Sequence, residues 1–266
     1  MRVGIVGLGT IGRAMCEAID RREVDVQLAA VTTRRPERAQ AFLGSLRHPP
    51  PLMALNGLIE RCDLVIEAAT PEALETIAPP TLQQGKDLMV LSVGALLEHD
   101  DWPSLARQTG SRIYVPSAAI VGLDGVKGAA FGQITSVTMT TRKPPKGLAG
   151  APFVVAHHLD LEALTEETVI FEGSAREACR GFPANVNVSA ALSLAGIGAE
   201  RTRIRIIAVP GGTRNVHDIE VVGEFGHFTI HLENEPSETN PRTGKLSYLS
   251  ALAMVKELAN PLKVGT

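Results

Sequence analysis

Cysteine is scarce in this chain: three residues in 266, Cys16, Cys62 and Cys179, far apart and with no C-x-x-C pair. That spacing offers neither a disulfide framework nor a zinc site, so no metal is expected. Basic tracts are missing as well, and 26 Lys and Arg against 29 Asp and Glu leave a net charge of −3. Nothing there favours a nucleic-acid surface. No apolar run reaches the roughly 18 residues a membrane span needs, and the chain opens on a strand pattern where a signal peptide would stand. No internal repeat or low-complexity segment is evident. The expectation is a cytoplasmic protein whose partners are small molecules, with no nucleic-acid or membrane partner.

With 44% hydrophobic residues in 266 the chain can bury a sizeable core, as two domains or one large one. Its first apolar strand runs into Gly7-Leu8-Gly9-Thr10-Ile11-Gly12 and then an amphipathic helix. A dinucleotide explains each glycine: Gly7 for a tight turn, Gly9 for close approach of backbone to a pyrophosphate, Gly12 for a helix lying close on the strand. The helix N–H groups would then face the phosphates, so Gly7, Gly9, Thr10, Ile11 and Gly12 are cofactor-binding candidates. An acidic residue about 20 positions on usually holds the ribose 2′-hydroxyl, and here it is missing. The second strand ends instead in Thr32-Thr33-Arg34-Arg35. Two guanidiniums suit a 2′-phosphate, because Arg offers it bidentate hydrogen bonds. Arg34 and Arg35 therefore predict that NADP is accepted, alongside or instead of NAD.

Further apolar strands at 63–69, 88–93 and 112–115, separated by helix patterns, imply a parallel sheet covered on both faces. Ligands sit beyond the carboxyl ends of such strands, which adds Ala69 and Thr70 to the cofactor candidates. Thr70 reads as a helix N-cap ahead of Pro71. From about residue 133 the pattern alternates apolar with polar, at 136–141, 203–209, 217–222 and 228–232, as in a sheet with one open face. Lys143-Pro144-Pro145-Lys146-Gly147 reads as a loop, and a helix is expected from Phe182-Pro183 with Val186, Ala190 and Leu194 inward. A terminal helix carries Leu246, Leu249, Leu252, Ala253 and Val255 as its stripe. The expected fold is α/β: a Rossmann-type doubly wound parallel sheet plus a second α/β domain with an open, largely antiparallel sheet. Residues 1–116 plus 241–266 would form the dinucleotide-binding domain, and 117–240 the catalytic and dimerisation domain.

Of seven histidines, His217 stands out, following the turn-rich Gly211-Gly212-Thr213-Arg214-Asn215 and opening a strand where a pocket can form. His157 and His158 are adjacent and would point opposite ways. His227 and His231 read as solvated, and Asp218 would face away from His217. Asn187, near the start of its helix, could orient a nicotinamide amide or a carboxylate, or simply cap the helix.

Gly7-Leu8-Gly9-Thr10-Ile11-Gly12, Pro116 through Asp124, Phe182-Pro183-Ala184-Asn185-Val186-Asn187-Val188, Arg214-Asn215-Val216-His217-Asp218-Ile219 and Asn240-Pro241-Arg242-Thr243 together resemble the L-aspartate dehydrogenase family. The resemblance spans nearly the whole chain in order. One departure is visible: the family usually has Ser-Gly-Ala-Ile where this chain has Ser117-Ala118-Ala119-Ile120. The resemblance implies NAD(P)-dependent, reversible deamination of L-aspartate to oxaloacetate and ammonia through iminoaspartate, with iminoaspartate supply for NAD synthesis as one use. It also implies a homodimer joined through the open sheet, His217 as the catalytic histidine, and cofactor contacts at Ala119 and Asn187. An unperturbed histidine titrates near pH 6.5, which suits activating water and returning a proton to ammonia. Candidates for the substrate carboxylates are Ser117, Asn187, Arg242 and Thr243. A reductase of another small carbonyl or imine, resembling dihydrodipicolinate reductase or homoserine dehydrogenase, and a non-catalytic nucleotide sensor are the alternatives.

Overall fold

Five short apolar strands form the first sheet: β1 (Arg2–Val6), β2 (Gln27–Thr32), β3 (Leu64–Glu67), β4 (Asp87–Val90) and β5 (Ile113–Tyr114). They lie in the order β2-β1-β3-β4-β5 and every pair is parallel. Strand alternation sends Val3, Ile5, Val31, Leu64, Ile66 and Met89 into one apolar layer, and Val6, Ala30, Val65, Leu88 and Val90 into the other. Both faces are therefore covered, as near-continuous apolar strands require. Helices α1 (Thr10–Asp20) and α2 (Pro36–Gly44) contribute Met15, Cys16, Ala39 and Leu43 to the first layer. Helices α3 (Leu55–Arg61), α4 (Pro71–Gln83) and α6 (Trp102–Thr109) contribute Leu58, Leu74, Leu82 and Trp102 to the second, and α5 (Val93–Leu96) adds Leu96. Thr70 caps α4, its hydroxyl accepting from the Ala73 N–H, and Pro71 follows at the first helical position.

The computed structural model describes residues 1–183, 187–235 and 244–265. It divides into two units, Met1–Pro116 with Tyr248–Lys263, and Ser117–Ser247 with Val264–Thr266. The second unit begins with α7 (Leu123–Ala129), β6 (Ile134–Lys143), α8 (Pro145–Leu148), α9 (Pro152–Ala156), β7 (Thr168–Ser174) and α10 (Ala175–Gly181). It continues with α11 (Asn187–Ala195), β8 (Arg203–Ala208), β9 (Asn215–Gly223) and β10 (Gly226–Asn234). Its sheet runs β10-β9-β6-β8-β7, antiparallel except for the β6–β8 pair. Val137, Met139, Ile204, Ile206, Ile219 and Val221 are buried on one face, whereas Arg203, Arg205 and Glu220 are exposed on the other. Ser174 starts α10 with a reciprocal capping box to Glu177.

Several local expectations change. Lys143 is the last residue of β6, and the expected loop after it holds the one-turn helix α8. β7 and α10 are elements the sequence pattern did not single out. In α11 the buried residues run from Val188 to Ser193, with Leu194 48% exposed; Val186 lies outside the described residues. The terminal helix α12 (Lys245–Ala259) buries Ala251 and Val255 against the β1 layer with Leu252, Met254 and Leu258 beside them, while Leu249 and Ala253 stay exposed. Small Ala251 at the contact lets the helix approach closely, and that rotates the expected stripe.

Ser117 and Ile120 close a turn, Ile120 N–H donating to the Ser117 carbonyl at 3.2 Å, and inside it Ala118 has φ +54. That is left-handed backbone, which costs a residue with a Cβ roughly 1–2 kcal/mol. Ala118→Gly removes the strain and gives back part of it as unfolded-chain entropy. The variant is expected to be more stable by about 0.5–1 kcal/mol in urea denaturation.

Candidate functional site

In the first unit the glycine turn behaves as its spacing requires. Gly7 has φ +101, and a Cβ there would lie 2.4 Å from the Ala68 carbonyl oxygen. A Cβ on Gly12 would sit 2.0 Å from the Gly7 carbonyl oxygen, so only glycine lets α1 start this close to the turn. Nothing lies within 4 Å of the same position on Gly9, which is the N-cap of α1 and faces open space. That space is part of a cavity of about 910 Å³ at the carboxyl ends of β1, β2 and β3. Its walls include Gly7, Gly9, Arg34, Arg35, Ala69 and Thr70, and also Arg13 and Arg38. Thr10, Ile11 and Gly12 are not in the walls; they form the first turn of α1 beneath Gly9, and Ile11 packs on the β1 core. Arg13 donates from Nε to the Leu8 carbonyl at 3.1 Å and stacks over Phe42 with its guanidinium carbon 5.0 Å from the ring centre.

Four guanidiniums against the single carboxylate of Glu72 make this cavity a site for polyanions. Its size, the open face of Gly9 and the unfilled N-terminus of α1 fit a dinucleotide. Below it, Glu67 is fully buried and braces the edge: its carboxylate accepts from the N–H groups of Ala69 (2.8 Å), Leu91 (3.1 Å) and Ser92 (2.9 Å) and from the Ser92 hydroxyl (2.9 Å). Burial raises its pKa, and those donors work against the rise.

In the second unit the chemistry gathers at one end of the covered sheet face. His217 stands in β9, 2% exposed, opposite Thr141 of β6, whose Oγ1 lies 3.0 Å from Nδ1. Lys143 is two residues beyond Thr141 on the same side and is 6% exposed. Asn234, also buried, donates from Nδ2 to the Ala119 carbonyl at 2.9 Å and so fixes the turn that carries Ser117. Burial, and then the positive charge of Lys143, push His217 down to about 3. Burial pushes Lys143 down to about 8. The near-neutral histidine expected from the sequence is thus a fully neutral imidazole at rest.

Asp218 points to the other face, where it pairs with Arg142 and lies 2.6 Å from His231 Nδ1. His227 is exposed beside Glu220, and His157 is exposed with Nδ1 2.9 Å from the Phe153 carbonyl. Asn187 opens α11. Arg242 and Thr243 lie outside the described residues. The sequence reading missed Arg13, Arg38, Thr141, Lys143, Glu67 and Asn234. Strand parity was a usable signal for Lys143, which shares it with Val137, Met139 and Thr141.

Comparison with known proteins agrees across the whole length. Residues 124–258 match the family model for the aspartate dehydrogenase C-terminal region, and residues 7–116 match that for the NAD-binding domain of homoserine dehydrogenase. The chain is 47% identical over 270 residues to an L-aspartate dehydrogenase of Methanosarcina mazei, covering 100% of both chains. It is 47% identical to one of Bradyrhizobium diazoefficiens, covering 100% of this chain and 94% of that one. In fold it is similar to the aspartate dehydrogenase of Thermotoga maritima, with a TM-score of 0.75 and 24% identity over 100% and 99% of the two chains.

The His217 environment has a consequence for stability. Between its unfolded value of 6.5 and the folded value of about 3, the unfolded chain takes up a proton that the folded chain refuses, so stability falls as pH falls through that window. His217→Gln cannot titrate. From pH 6.5 down to 5 the wild type is expected to lose more stability than this variant, with the difference in slope approaching about 1.4 kcal/mol per pH unit. Urea denaturation of both proteins across this range measures it.

Proposed function

Because this chain belongs to the L-aspartate dehydrogenase family, we propose that it catalyses the reversible NAD(P)-dependent deamination of L-aspartate to oxaloacetate and ammonia through iminoaspartate. The observation that carries this reading is His217, a buried neutral imidazole at the polar end of an otherwise apolar sheet face. The bound dinucleotide supplies the hydride acceptor. Gly7 makes the turn and Gly9 would let the backbone approach its pyrophosphate, while the α1 N-terminus and the guanidiniums of Arg34, Arg35, Arg13 and Arg38 would receive its phosphates.

His217 moves the protons. With the Thr141 hydroxyl accepting from Nδ1–H, Nε2 keeps its lone pair and can take a proton from the water that attacks the imine. The same nitrogen returns that proton to the departing ammonia. A base near 3 is too weak for the task by itself, and a substrate with two carboxylates offsets the Lys143 charge and raises it. Ser117, Ala119 and Asn187 are assigned to cofactor and substrate contacts in the second unit, the Ala119 backbone being held by Asn234. We assign the open face of the second sheet to contact with a second copy, a homodimer that sedimentation would detect. The three cysteines, kept as buried thiols, suit the reducing cytoplasm.

Absorbance at 340 nm with L-aspartate and each cofactor in turn tests the reaction. His217→Ala is expected to lower kcat by on the order of 10²-fold or more while nicotinamide cofactor affinity stays within about twofold. Near wild-type turnover in that variant would remove the proposed proton carrier. Replacing Arg34 and Arg35 together by Ala is expected to raise the KM for NADP+ by about tenfold or more and that for NAD+ far less.

A further inference from the structure

Among the described residues, the covered face of the second sheet is apolar along most of its length, with Thr141, Lys143, His217 and Asn234 buried toward one end. Lys143 is the only buried lysine or arginine among the described residues. Its position is fixed by register: Thr141 pairs directly with His217, and Lys143 stands two residues further along β6 on the same side. At that diagonal spacing a long side chain reaches its cross-strand neighbour. The ammonium is near enough for its charge to bear on the imidazole.

On the open face of this sheet three arginines are paired with carboxylates. Arg142 pairs with Asp218 and Glu167, Arg205 with Glu172, and Arg214 with Glu233 and Glu235. Among the described residues, Lys143 places a buried positive charge on the His217 side, in surroundings of low polarisability where an arriving anion is attracted far more strongly than in water. An ammonium on a flexible stem is suited to a single carboxylate oxygen.

We propose that Lys143 holds one carboxylate of the substrate beside His217 and thereby makes the site selective for dicarboxylates. The proposal rests on the deamination reading above and adds to it the residue that selects the substrate class. A monocarboxylate would not make that charged contact and would lose its share of the binding energy.

The test uses the full chain saturated with NAD+, the unreactive probes succinate and propionate, and the variants Lys143→Met and Lys143→Arg. Calorimetry is expected to show the wild type binding succinate about tenfold or more tighter than propionate, the size of one charged hydrogen bond. Lys143→Met is expected to abolish that preference while NAD+ affinity stays within about twofold, and Lys143→Arg to keep part of it. In turnover, Lys143→Met is expected to raise the KM for L-aspartate by about tenfold or more with a smaller fall in kcat. A folded Met variant that keeps the wild-type preference overturns the proposal, as does a wild type with no preference. Should the Met variant fail to fold, Lys143→Gln replaces it under the same criteria. Absence of L-aspartate turnover in the wild type would sink the deamination reading alone, because the succinate comparison still decides the role of Lys143.

Discussion

An imidazole walled off from water loses the basicity it has in solution, and the sheet that surrounds His217 imposes that loss. Strand alternation decides what the ring meets. His217 faces the covered side with Thr141 and Lys143, while its neighbour Asp218 faces the open side with Arg142 and His231. A register slip of one residue would exchange the two, moving the imidazole out to the open face beside Arg142 and burying the Asp218 carboxylate on the side of Lys143. The pairing of Thr141 with His217 therefore sets the protonation state of the ring as well as its position.

In the first unit the turn residues were legible because each glycine answers to one short-range contact. Gly7 and Gly12 crowd Ala68 and each other, and Gly9 faces open space. Arg34 and Arg35 could be read at the strand tip because a missing acid is visible in the sequence itself. Arg13 and Arg38 could not: each sits on a helix flank, and only the parallel order β2-β1-β3 turns both flanks toward one cavity. Glu67 reads in sequence as one more strand residue. Its meaning comes from three backbone N–H groups on two different connections.

The second unit was less legible, for a different reason. Lys143 has the parity of a buried position, but Pro144 and Pro145 follow it, and paired prolines read as the start of a loop. The strand in fact runs up to the first proline. Burying a lysine also contradicts the usual preference of that side chain for solvent, so composition argued against what parity argued for. In the terminal helix the apolar leucines suggested one stripe and packing chose another, with small Ala251 and Val255 at the contact. Positions where local preference and tertiary structure disagree are where function is expected to concentrate, and Lys143 is such a position.

The two basic groups at the polar end of the sheet are also coupled through charge. Burial, and after it the Lys143 charge, holds down the basicity of His217. On the proposed reading, a dicarboxylate held at Lys143 would offset that second contribution and raise the basicity of the imidazole, while the effect of burial would remain. The group proposed to select the substrate would thus also tune the base. Tuning of this kind would act through charge alone and would need no movement of the backbone. A rigid strand pair is a suitable support for a site that works this way.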